Sequence, residues 1–211
     1  PHAHSSEEIK KHVNIPVATV ARINEPWIAE ELIANEKCDM CMIGRPNLCD
    51  SEFANKAFEG KVDDIRPCIG CGRCLTGIMM GKRISCTVNP SVEDDTIEEA
   101  SDKKKVLVIG GGPAGMEAAY VAKKRGHEVV LYEKSNELGG QLRLAAVPIA
   151  KQELCKVIKF MIRRLDHEGI EVRLNTEVTK EMLENEFKDY EIVCSSGATP
   201  KEIPPFKVFK N

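Results

Sequence analysis

Long apolar runs are absent from this 211-residue chain, and none approaches the ~18 residues that a membrane-spanning helix needs. The first residues also lack the basic, apolar and small-residue pattern of a secretory signal. Charge is nearly balanced, with 30 Lys and Arg against 33 Asp and Glu, and the basic residues are scattered. We therefore expect a cytoplasmic location and neither a membrane nor a nucleic-acid partner.

Cysteine, by contrast, is plentiful, with nine in the chain. In a reducing compartment such cysteines more often bind metals or take part in redox chemistry than form disulfides. A composition of 42% hydrophobic and 30% charged residues is typical of a folded chain, and the length allows one or two domains. Because the chain begins at Pro1 and ends in IPPFKVFKN, we expect it to be a piece of a longer protein.

The first part of the chain alternates between strand and helix patterns. We predict strands at Ile15–Ile23 and Cys38–Gly44, and helices at Glu25–Cys38 and Asp50–Gly60. This order of elements predicts parallel strands in an α/β layer.

A polar stretch at residues 91–104 predicts a linker between two domains. After it, residues 105–134 have the pattern strand, glycine-rich turn, helix, strand. A long amphipathic helix is then predicted at Ala150–Gly169, with further strands at Ile170–Asn175 and Tyr190–Ala198.

Four cysteines in the spacing C-x2-C-x2-C-x11-C form the first candidate site: Cys68, Cys71, Cys74 and Cys86. Soft thiolates suit zinc or iron–sulfur clusters. Structural zinc sites usually use two separated pairs, whereas three cysteines in one short loop are typical of cubane clusters. The spacing therefore favours a 4Fe-4S cluster, with zinc as the alternative.

We predict no metal site at the remaining cysteines. Cys38 and Cys41 also have the C-x2-C spacing, but on a predicted strand their side chains would point to opposite faces. Cys49, Cys155 and Cys194 are predicted to be small buried hydrophobic residues.

The second candidate site is the run VLVIGGGPAG, which contains G-x-G-x-x-G at Gly110, Gly112 and Gly115. It follows a predicted strand and opens a helix, the context in which such glycines bind a dinucleotide pyrophosphate. Glu133 ends the next strand, where a carboxylate binds ribose hydroxyls and repels a 2′-phosphate. This favours FAD or NAD(H) over NADP(H).

Downstream of Glu133, the run KSNELGGQL resembles the flavoproteins that have two dinucleotide-binding units, the first of which binds FAD. The later SSGATP, Ser195–Pro200, resembles the strand end from which that family crosses to its NAD(P)H domain. The resemblance adds further residues to the expected FAD contacts: Pro113, Ala114, Lys134, Gly140 and Gln141.

The segment before the cysteines, MIGRPNLCDSEFANKAFEGKVDDIRPCIGC, resembles the end of the flavin-binding barrel of the old yellow enzyme family. It is most similar to the long iron–sulfur members, which include 2,4-dienoyl-CoA reductase, enoate reductase and trimethylamine dehydrogenase. The order GRP, RPCIGC, GKRISCTVNP, GGGPAG matches these members through nearly the whole chain.

This resemblance implies an α/β chain in four parts: the last two strand–helix units of an FMN-binding TIM barrel (1–65), a cluster segment (66–90), the linker (91–104), and an incomplete Rossmann-like FAD domain (105–211). It places Arg22, Gly44 and Arg45 at the FMN phosphate, in agreement with the usual phosphate site of such barrels. Ala21 departs from the family pattern, in which glycine is common. Salt bridges to carboxylates are the alternative role for both arginines.

The resemblance also implies the activity. Electrons would pass from NAD(P)H through FAD and the 4Fe-4S cluster to FMN, which would reduce an activated C=C bond of a small enoate or dienoyl-CoA-like substrate. Three alternatives stay open: an amine dehydrogenase with ADP in place of FAD, a separate iron–sulfur/FAD electron-transfer subunit, and a zinc-stapled nucleotide-binding protein. A homo-oligomer is also left open. No catalytic residue can be named.

Overall fold

The structure is a computed structural model that describes residues 2–94 and 96–199. The chain divides into two compact units, residues 1–98 with 146–164, and residues 99–145 with 165–211. The first division falls inside the predicted linker. Residues 146–164, which the sequence assigned to the FAD domain, belong to the first unit. Pro200 of the SSGATP run lies outside the described residues, as does the terminal IPPFKVFKN.

The described elements are mostly short. The helices are α1 Ala3–Lys10, α2 Pro26–Ala34, α3 Arg45–Cys49, α4 Phe53–Phe58, α5 Arg73–Met79, α6 Pro113–Lys124, α7 Gln141–Ala145, α8 Glu153–His167 and α9 Lys180–Asn185. The strands are β1 Ala18–Thr19, β2 Met40–Cys41, β3 Lys105–Ile109, β4 Glu128–Tyr132, β5 Glu171–Arg173 and β6 Glu191–Cys194. Two 3-10 helices lie at Val62–Asp64 and Ile149–Lys151.

In the first unit, β1 and β2 are parallel neighbours joined through α2. A small core of Ile23, Leu32 and Cys38 packs beneath them. The predicted first strand is much shorter than expected, because the chain turns after β1 with positive φ at Ala21 and Arg22. These two strands and α2 have the predicted parallel order. Their origin in a TIM barrel stays a prediction.

The predicted helix at Asp50–Gly60 was wrong at its start. One short helix, α3, ends at Cys49, and a second, α4, begins at Phe53. Asp50 separates them in an extended conformation, with φ −144° and ψ 107°, and its carboxylate accepts the Glu52 N–H at 3.1 Å. Aspartate side chains favour such local bonds at helix boundaries.

The second unit contains a four-stranded parallel sheet in the order β5-β4-β3-β6. The chain moves from β3 outward to β5 on one side and then crosses to β6 on the other side. This is the strand order of one half of a doubly wound dinucleotide-binding fold. The α/β class with parallel strands is therefore confirmed.

The core of the second unit lies where the sheet meets the segment around α9. Tyr132, Phe187 and Tyr190 stack edge to face, with ring centroids 5.3 and 5.1 Å apart. Leu107 of β3 is fully buried in the same cluster. Because β3 and β6 are neighbours, the loops after their carboxyl ends meet at the point where ligands bind in such sheets.

Helix α8 confirms the amphipathic pattern predicted for residues 150–169. Its apolar side chains Val157, Ile158, Phe160 and Met161 are buried. No helix within residues 2–94 and 96–199 is long and apolar enough to cross a membrane.

Candidate cofactor sites

The glycine loop between β3 and α6 has no space for a side chain at two of its positions. A Cβ added to Gly110, where φ is +107°, would lie 2.4 Å from the backbone oxygen of Ser195. A Cβ added to Gly115 would lie 1.8 Å from the backbone oxygen of Gly110. The first glycine therefore permits the turn and contact with the end of β6, and the third permits close packing of α6.

Gly112 differs from Gly110 and Gly115 because a side chain at this position would meet no other described atoms. No described atom lies within 4 Å of a Cβ added there. Gly112 is also the N-cap of the 12-residue helix α6, with Pro113 at its first position and no capping bond from a described side chain. The positive end of the helix therefore has neither a side-chain cap nor a side chain at Gly112, which suits a pyrophosphate.

Glu133 lies directly under this loop and is buried. Its Oε2 accepts the Gly111 N–H at 2.6 Å, while its Oε1 accepts the Ser135 N–H at 2.8 Å and the Ser135 hydroxyl at 2.7 Å. A carboxylate offers about four acceptor positions, so one on Oε2 remains for a ribose hydroxyl. The contacts fit the adenosine end of a dinucleotide.

Burial raises the pKa of Glu133, but the hydrogen bonds from Ser135 and Gly111 outweigh it, so the pKa is lowered overall. A lowered folded-state pKa means that the ionised carboxylate stabilises the fold above its unfolded-state pKa. That stability is lost as pH falls through the folded-state value.

Glu133→Gln is therefore expected to destabilise the FAD-free protein at pH 7 by about 1–3 kcal/mol, because an amide N–H would face a backbone donor. The difference from the parent should shrink below pH 4.5, the ordinary pKa of the group. Urea unfolding of both proteins across this pH range provides the measurement. A Glu133→Gln penalty that does not diminish at all between pH 7 and the acid end of this range would contradict the assigned ionisation.

The other predicted FAD contacts lie around the same loop. Gly139 donates its N–H to the Gly111 oxygen at 2.8 Å, and a Cβ on Gly140 would lie 3.2 Å from the Gly112 Cα. Gln141 donates a hydrogen bond to the backbone oxygen of Ala198, beyond β6. Ala114 and Lys134 are exposed. The structure thus places Gly139 and Gly140 against the G-x-G-x-x-G loop. Binding of FAD by the residues named in this paragraph stays a prediction.

The four predicted ligand cysteines line one cleft in the first unit. This cleft has a volume of about 310 Å³, including space open to solvent. Cys68 and Cys86 are half-buried, Cys71 is exposed and Cys74 is buried. Four thiols around one cleft fit the donor set of an iron–sulfur cluster or of zinc.

Local backbone features shape the cysteine loop. Gly70 and Gly72 adopt left-handed φ of +63° and +76°, and α5 begins directly after Gly72. Asn24 donates to the Cys68 backbone oxygen at 3.0 Å, which ties the loop to the segment after β1. The tight turns bring three cysteines to the same cleft within seven residues.

Within the described residues, no group of three or more His, Cys, Asp or Glu side chains is placed to hold one metal ion. A tetrahedral zinc site requires its sulfurs to converge at ~2.3 Å from a single centre. A cubane instead takes each cysteine on a different iron of a wider core.

A fifth cysteine, Cys49, lies beside the cleft. It is fully buried, as predicted, and forms a side-chain hydrogen bond with Cys86. The bond lowers the pKa of Cys86 and raises that of Cys49, which burial raises further.

Three predictions about the other cysteines were wrong. Cys38 and Cys41 have their Sγ atoms 3.9 Å apart, because β2 is only Met40–Cys41 and Cys38 precedes it. The alternation of a strand therefore does not apply to the pair. Cys155 and Cys194 are exposed. Cys194 belongs to β6, which is at the edge of the described sheet.

Burial, followed by the hydrogen bond with Cys38, raises the pKa of Cys41 from 9.0 to about 11. At pH 8 this leaves about 100-fold less thiolate than a cysteine with the ordinary value has. We expect alkylation of Cys41 by iodoacetamide to be correspondingly slow, and to accelerate as pH approaches 11. Peptide mass spectrometry over time would measure it, with exposed Cys155 as the control. Equal rates at both residues would contradict the prediction.

The predicted FMN phosphate residues lie close to the cysteine segment. Arg22 forms a salt bridge with Glu153 at 2.6 Å, which is the alternative role considered for it. Its guanidinium also lies 3.7 Å from a Cβ added to Gly70. Gly44 is the N-cap of α3, and Arg45 lines the cysteine cleft. Binding of FMN by these residues stays a prediction.

The left-handed backbone of Ala21 and Arg22 is unusual, because non-glycine residues with β-carbons rarely adopt it. Ala21, with φ +79°, occupies the position at which the family pattern often has glycine. Strain of this kind persists where the surrounding structure requires the conformation, commonly at ligand-binding loops.

Sequence reasoning missed several residues that support these sites. Ser135 gives Glu133 two hydrogen bonds, and its position two residues after the carboxylate was an available signal. Ser195 has a buried hydroxyl without a partner among the described residues, next to the glycine loop. The Cys49 bond to Cys86 spans 37 residues of sequence and had no local signal.

Comparison with known proteins gives consistent matches. The protein family described as FAD dependent oxidoreductase matches residues 105–196. NADH oxidase from Thermoanaerobacter brockii is 42% identical over 201 residues, which are 92% of this chain and 31% of that protein. Cinnamate reductase from Clostridium sporogenes is 38% identical over 202 residues, 94% of this chain and 30% of that protein.

Among solved structures, a 2-naphthoyl-CoA reductase in complex with 2-naphthoyl-CoA matches with a TM-score of 0.89 and 32% identity. The match covers 96% of this chain and 32% of that chain. The chain therefore spans about a third of the length of the relatives that it matches.

Proposed function

Because this chain belongs to the enoate reductase and amine dehydrogenase family of flavin oxidoreductases, as a segment of about a third of their length, we propose that it carries the FAD and iron–sulfur sites of an NAD(P)H-dependent reductase. The substrate class is a small molecule with an activated C=C bond, such as an enoate or an unsaturated acyl-CoA. The family membership supports the flavin chemistry, and the names cinnamate reductase and 2-naphthoyl-CoA reductase support the substrate class.

The observation that carries the proposal is the cleft lined by Cys68, Cys71, Cys74 and Cys86, in a chain that also has the glycine loop. When bound, FAD would accept a hydride from NAD(P)H, the cluster would carry single electrons, and FMN would deliver a hydride to the substrate.

The contacts of these residues indicate which part of each cofactor they would bind. The N–H groups after Gly112 would hold the pyrophosphate, and the free acceptor position on Glu133 would hold the ribose. Arg22, Gly44 and Arg45 would hold the FMN phosphate, with the Arg22 salt bridge to Glu153 exchanged for or shared with phosphate. Protein groups position the cofactors, and the chemistry belongs to the cofactors.

Metal and flavin analysis of the anaerobically prepared full-length protein tests this proposal. We expect about four iron atoms and four acid-labile sulfides per chain, as a 4Fe-4S cluster requires, together with FAD and FMN. Stoichiometric zinc without sulfide would overturn it in favour of a zinc-stapled nucleotide-binding protein. Iron, sulfide and FAD without FMN would instead identify an electron-transfer subunit.

Substrate assays then separate the remaining reductase and amine dehydrogenase alternatives. We expect NADH or NADPH to be oxidised when cinnamate or an enoyl-CoA is added, with saturation of the C=C bond seen by mass spectrometry. Dimethylamine, with an artificial electron acceptor, is the matched control substrate. Turnover of the amine without any turnover of the alkenes would contradict the reductase assignment.

A further inference from the structure

Cys38 and Cys41 form a pair of neighbouring thiols that none of the proposed cofactor sites uses. Their Sγ atoms are 3.9 Å apart, and neither residue lines the cysteine cleft. Cys38 is 1% exposed and packs in the core with Leu32 of α2, whereas Cys41 is half-buried. The Cys41 Sγ lies 3.9 Å from the backbone oxygen of Ala29, also in α2. Both thiols therefore lie on the side of the chain that faces α2.

The backbone between the two cysteines is anchored to the chain next to it. Asp39 donates its backbone N–H to the Val17 oxygen at 2.8 Å. Its carboxylate accepts the Val17 N–H at 2.7 Å and forms an ion pair with Lys10 at 2.8 Å. Cys41 itself belongs to β2, which is paired with β1. The two thiols are thus brought together by hydrogen-bonded backbone.

Two neighbouring thiols suit either a metal ion or a disulfide. A structural zinc ion takes four protein ligands, but no group of three or more His, Cys, Asp or Glu side chains within residues 2–94 and 96–199 is placed to hold a metal. A disulfide needs only the pair. Its S–S bond is ~2.05 Å long, so the sulfurs must approach by about 2 Å. Rotation of a cysteine side chain between its staggered positions moves its sulfur by such a distance.

We propose that Cys38 and Cys41 are a reversible thiol–disulfide couple that exchanges with small-molecule disulfides of the class of oxidised glutathione. The inference goes beyond the proposed function, because it requires neither the cluster nor the flavins. In reducing compartments, the disulfides that do form are commonly transient and redox-sensing. The proposal gives a role to a C-x2-C spacing at which the sequence predicted no site.

The exchange takes two balanced steps. The Cys41 thiol, the more exposed of the two, loses its proton, and its sulfur attacks one sulfur of oxidised glutathione. A mixed disulfide forms, and one glutathione thiolate leaves. The Cys38 thiol then loses its proton and attacks the Cys41 sulfur, which forms the internal disulfide and releases the second glutathione. Two protein thiols are oxidised, one glutathione disulfide is reduced, and the released thiolates take up the two protons.

The environment of Cys41 makes the first step slow and the product persistent. Burial, followed by the bond with Cys38, raises the pKa of Cys41 to about 11, so little thiolate is present to attack at neutral pH. Dithiol pairs that are strong oxidants have a stabilised reduced form. Cys41 has no such stabilised thiolate, so we expect the disulfide to resist reduction once it has formed.

Peptide mass spectrometry of the full-length protein tests the proposal. The protein is equilibrated without oxygen in buffers with different ratios of reduced to oxidised glutathione, quenched with acid, unfolded and alkylated. Trypsin cleaves after Lys37 and Lys56, whereas Pro46 protects the bond after Arg45. Cys38, Cys41 and Cys49 therefore lie on one peptide, in which fully buried Cys49 is the internal reference.

With oxidised glutathione in excess, we expect more than about half of the chains to lose two hydrogens at Cys38 and Cys41, while Cys49 is alkylated. Excess reduced glutathione should restore both thiols. Cys38→Ser should abolish the internal disulfide, and Cys41→Ser should do the same if the first variant fails to fold. Cys155→Ser is the matched control, since exposed Cys155 lies outside the pair, and it should leave the midpoint ratio unchanged.

Three results would overturn the inference. The first is full alkylation of Cys38 and Cys41 at equilibrium in excess oxidised glutathione. The second is accumulation of glutathione on Cys41 without loss of two hydrogens, which would show that Cys38 does not attack the mixed disulfide. The third is equal pairing of either cysteine with Cys49, which would show exchange in an unfolded chain. Absence of iron or flavin from the parent protein would refute the proposed function and leave these outcomes unchanged.

Discussion

Replacing Gly115 by alanine is expected to abolish the folded glycine loop and with it the binding of FAD. The added Cβ would lie 1.8 Å from the backbone oxygen of Gly110 and 3.0 Å from the Ser195 hydroxyl. A backbone oxygen cannot rotate away, so α6 would have to separate from β3. Overpacking of flexible side chains costs about 1–3 kcal/mol, and a clash with backbone should exceed that. Urea unfolding of the FAD-free protein and the FAD content after purification are the two measurements.

Gly112→Ala is the matched variant, three positions earlier in the same loop. Gly112 has φ −72° and ψ 178°, which alanine adopts without strain, and the space in front of it is open. We therefore expect the stability of the FAD-free protein to change by less than about 0.5 kcal/mol. The methyl group would, however, occupy the place where a pyrophosphate approaches the helix, so FAD affinity should fall at least about tenfold.

The pair of variants separates a folding role from a binding role. Loss of stability in Gly115→Ala, and loss of affinity alone in Gly112→Ala, is the expected result. Unchanged FAD affinity in a well-folded Gly112→Ala protein would mean that the cofactor does not lie against this loop. Unchanged stability in Gly115→Ala would mean that α6 and β3 are not packed as closely as the structure shows.

The parts of the fold that were predicted correctly are those with strong local patterns. The strand, glycine turn, helix and strand of residues 105–134 follow from a continuous apolar strand, three glycines and an amphipathic helix, all within 30 residues. Helix α8 follows from its apolar face. In each case the interactions that decide the element are close in sequence.

Where the prediction failed, the structure was decided by contacts distant in sequence, by left-handed backbone conformations, or by a side chain that hydrogen-bonds to backbone N–H groups. The apolar run Ile15–Ile23 has the composition of a strand, but its end turns through left-handed residues and pairs for only two positions. The Asp50 carboxylate interrupts a helical pattern because it bonds to the Arg66 and Glu52 N–H groups. Exposure of Cys194 depends on β6 being an edge strand, which strand composition does not reveal.

In the candidate sites, too, the local features could be predicted and the contacts distant in sequence could not. The clustering of Cys68, Cys71 and Cys74 at one cleft and the tight glycine turn could be predicted from spacing, because short loops bring their own residues together. The hydrogen bonds that surround them could not, since Asn24 reaches the Cys68 backbone and Cys49 reaches Cys86 across 44 and 37 residues. Supporting contacts of this kind depend on the tertiary fold.

Cys71→Ala is expected to abolish the cluster while it leaves the fold of both units and the FAD site intact. Cys71 is exposed, so its removal creates no cavity, and its one described side-chain contact is with the Thr87 hydroxyl at 3.3 Å. Loss of a second-sphere partner already costs about 10–100-fold in metal affinity, and a direct ligand should cost more. Iron and sulfide should fall far below the parent values, and NAD(P)H-dependent C=C reduction should fall at least about 100-fold.

Cys155→Ala is the matched control, because Cys155 is the other exposed cysteine described in the first unit and lies outside the cysteine cleft. It should retain full iron, sulfide and activity. FAD content should be normal in both variants, since the glycine loop and Glu133 belong to the second unit. Equal iron and sulfide in Cys71→Ala and Cys155→Ala would remove Cys71 from the ligand set. Parallel loss of FAD and iron in Cys71→Ala would show instead that the two units fold interdependently.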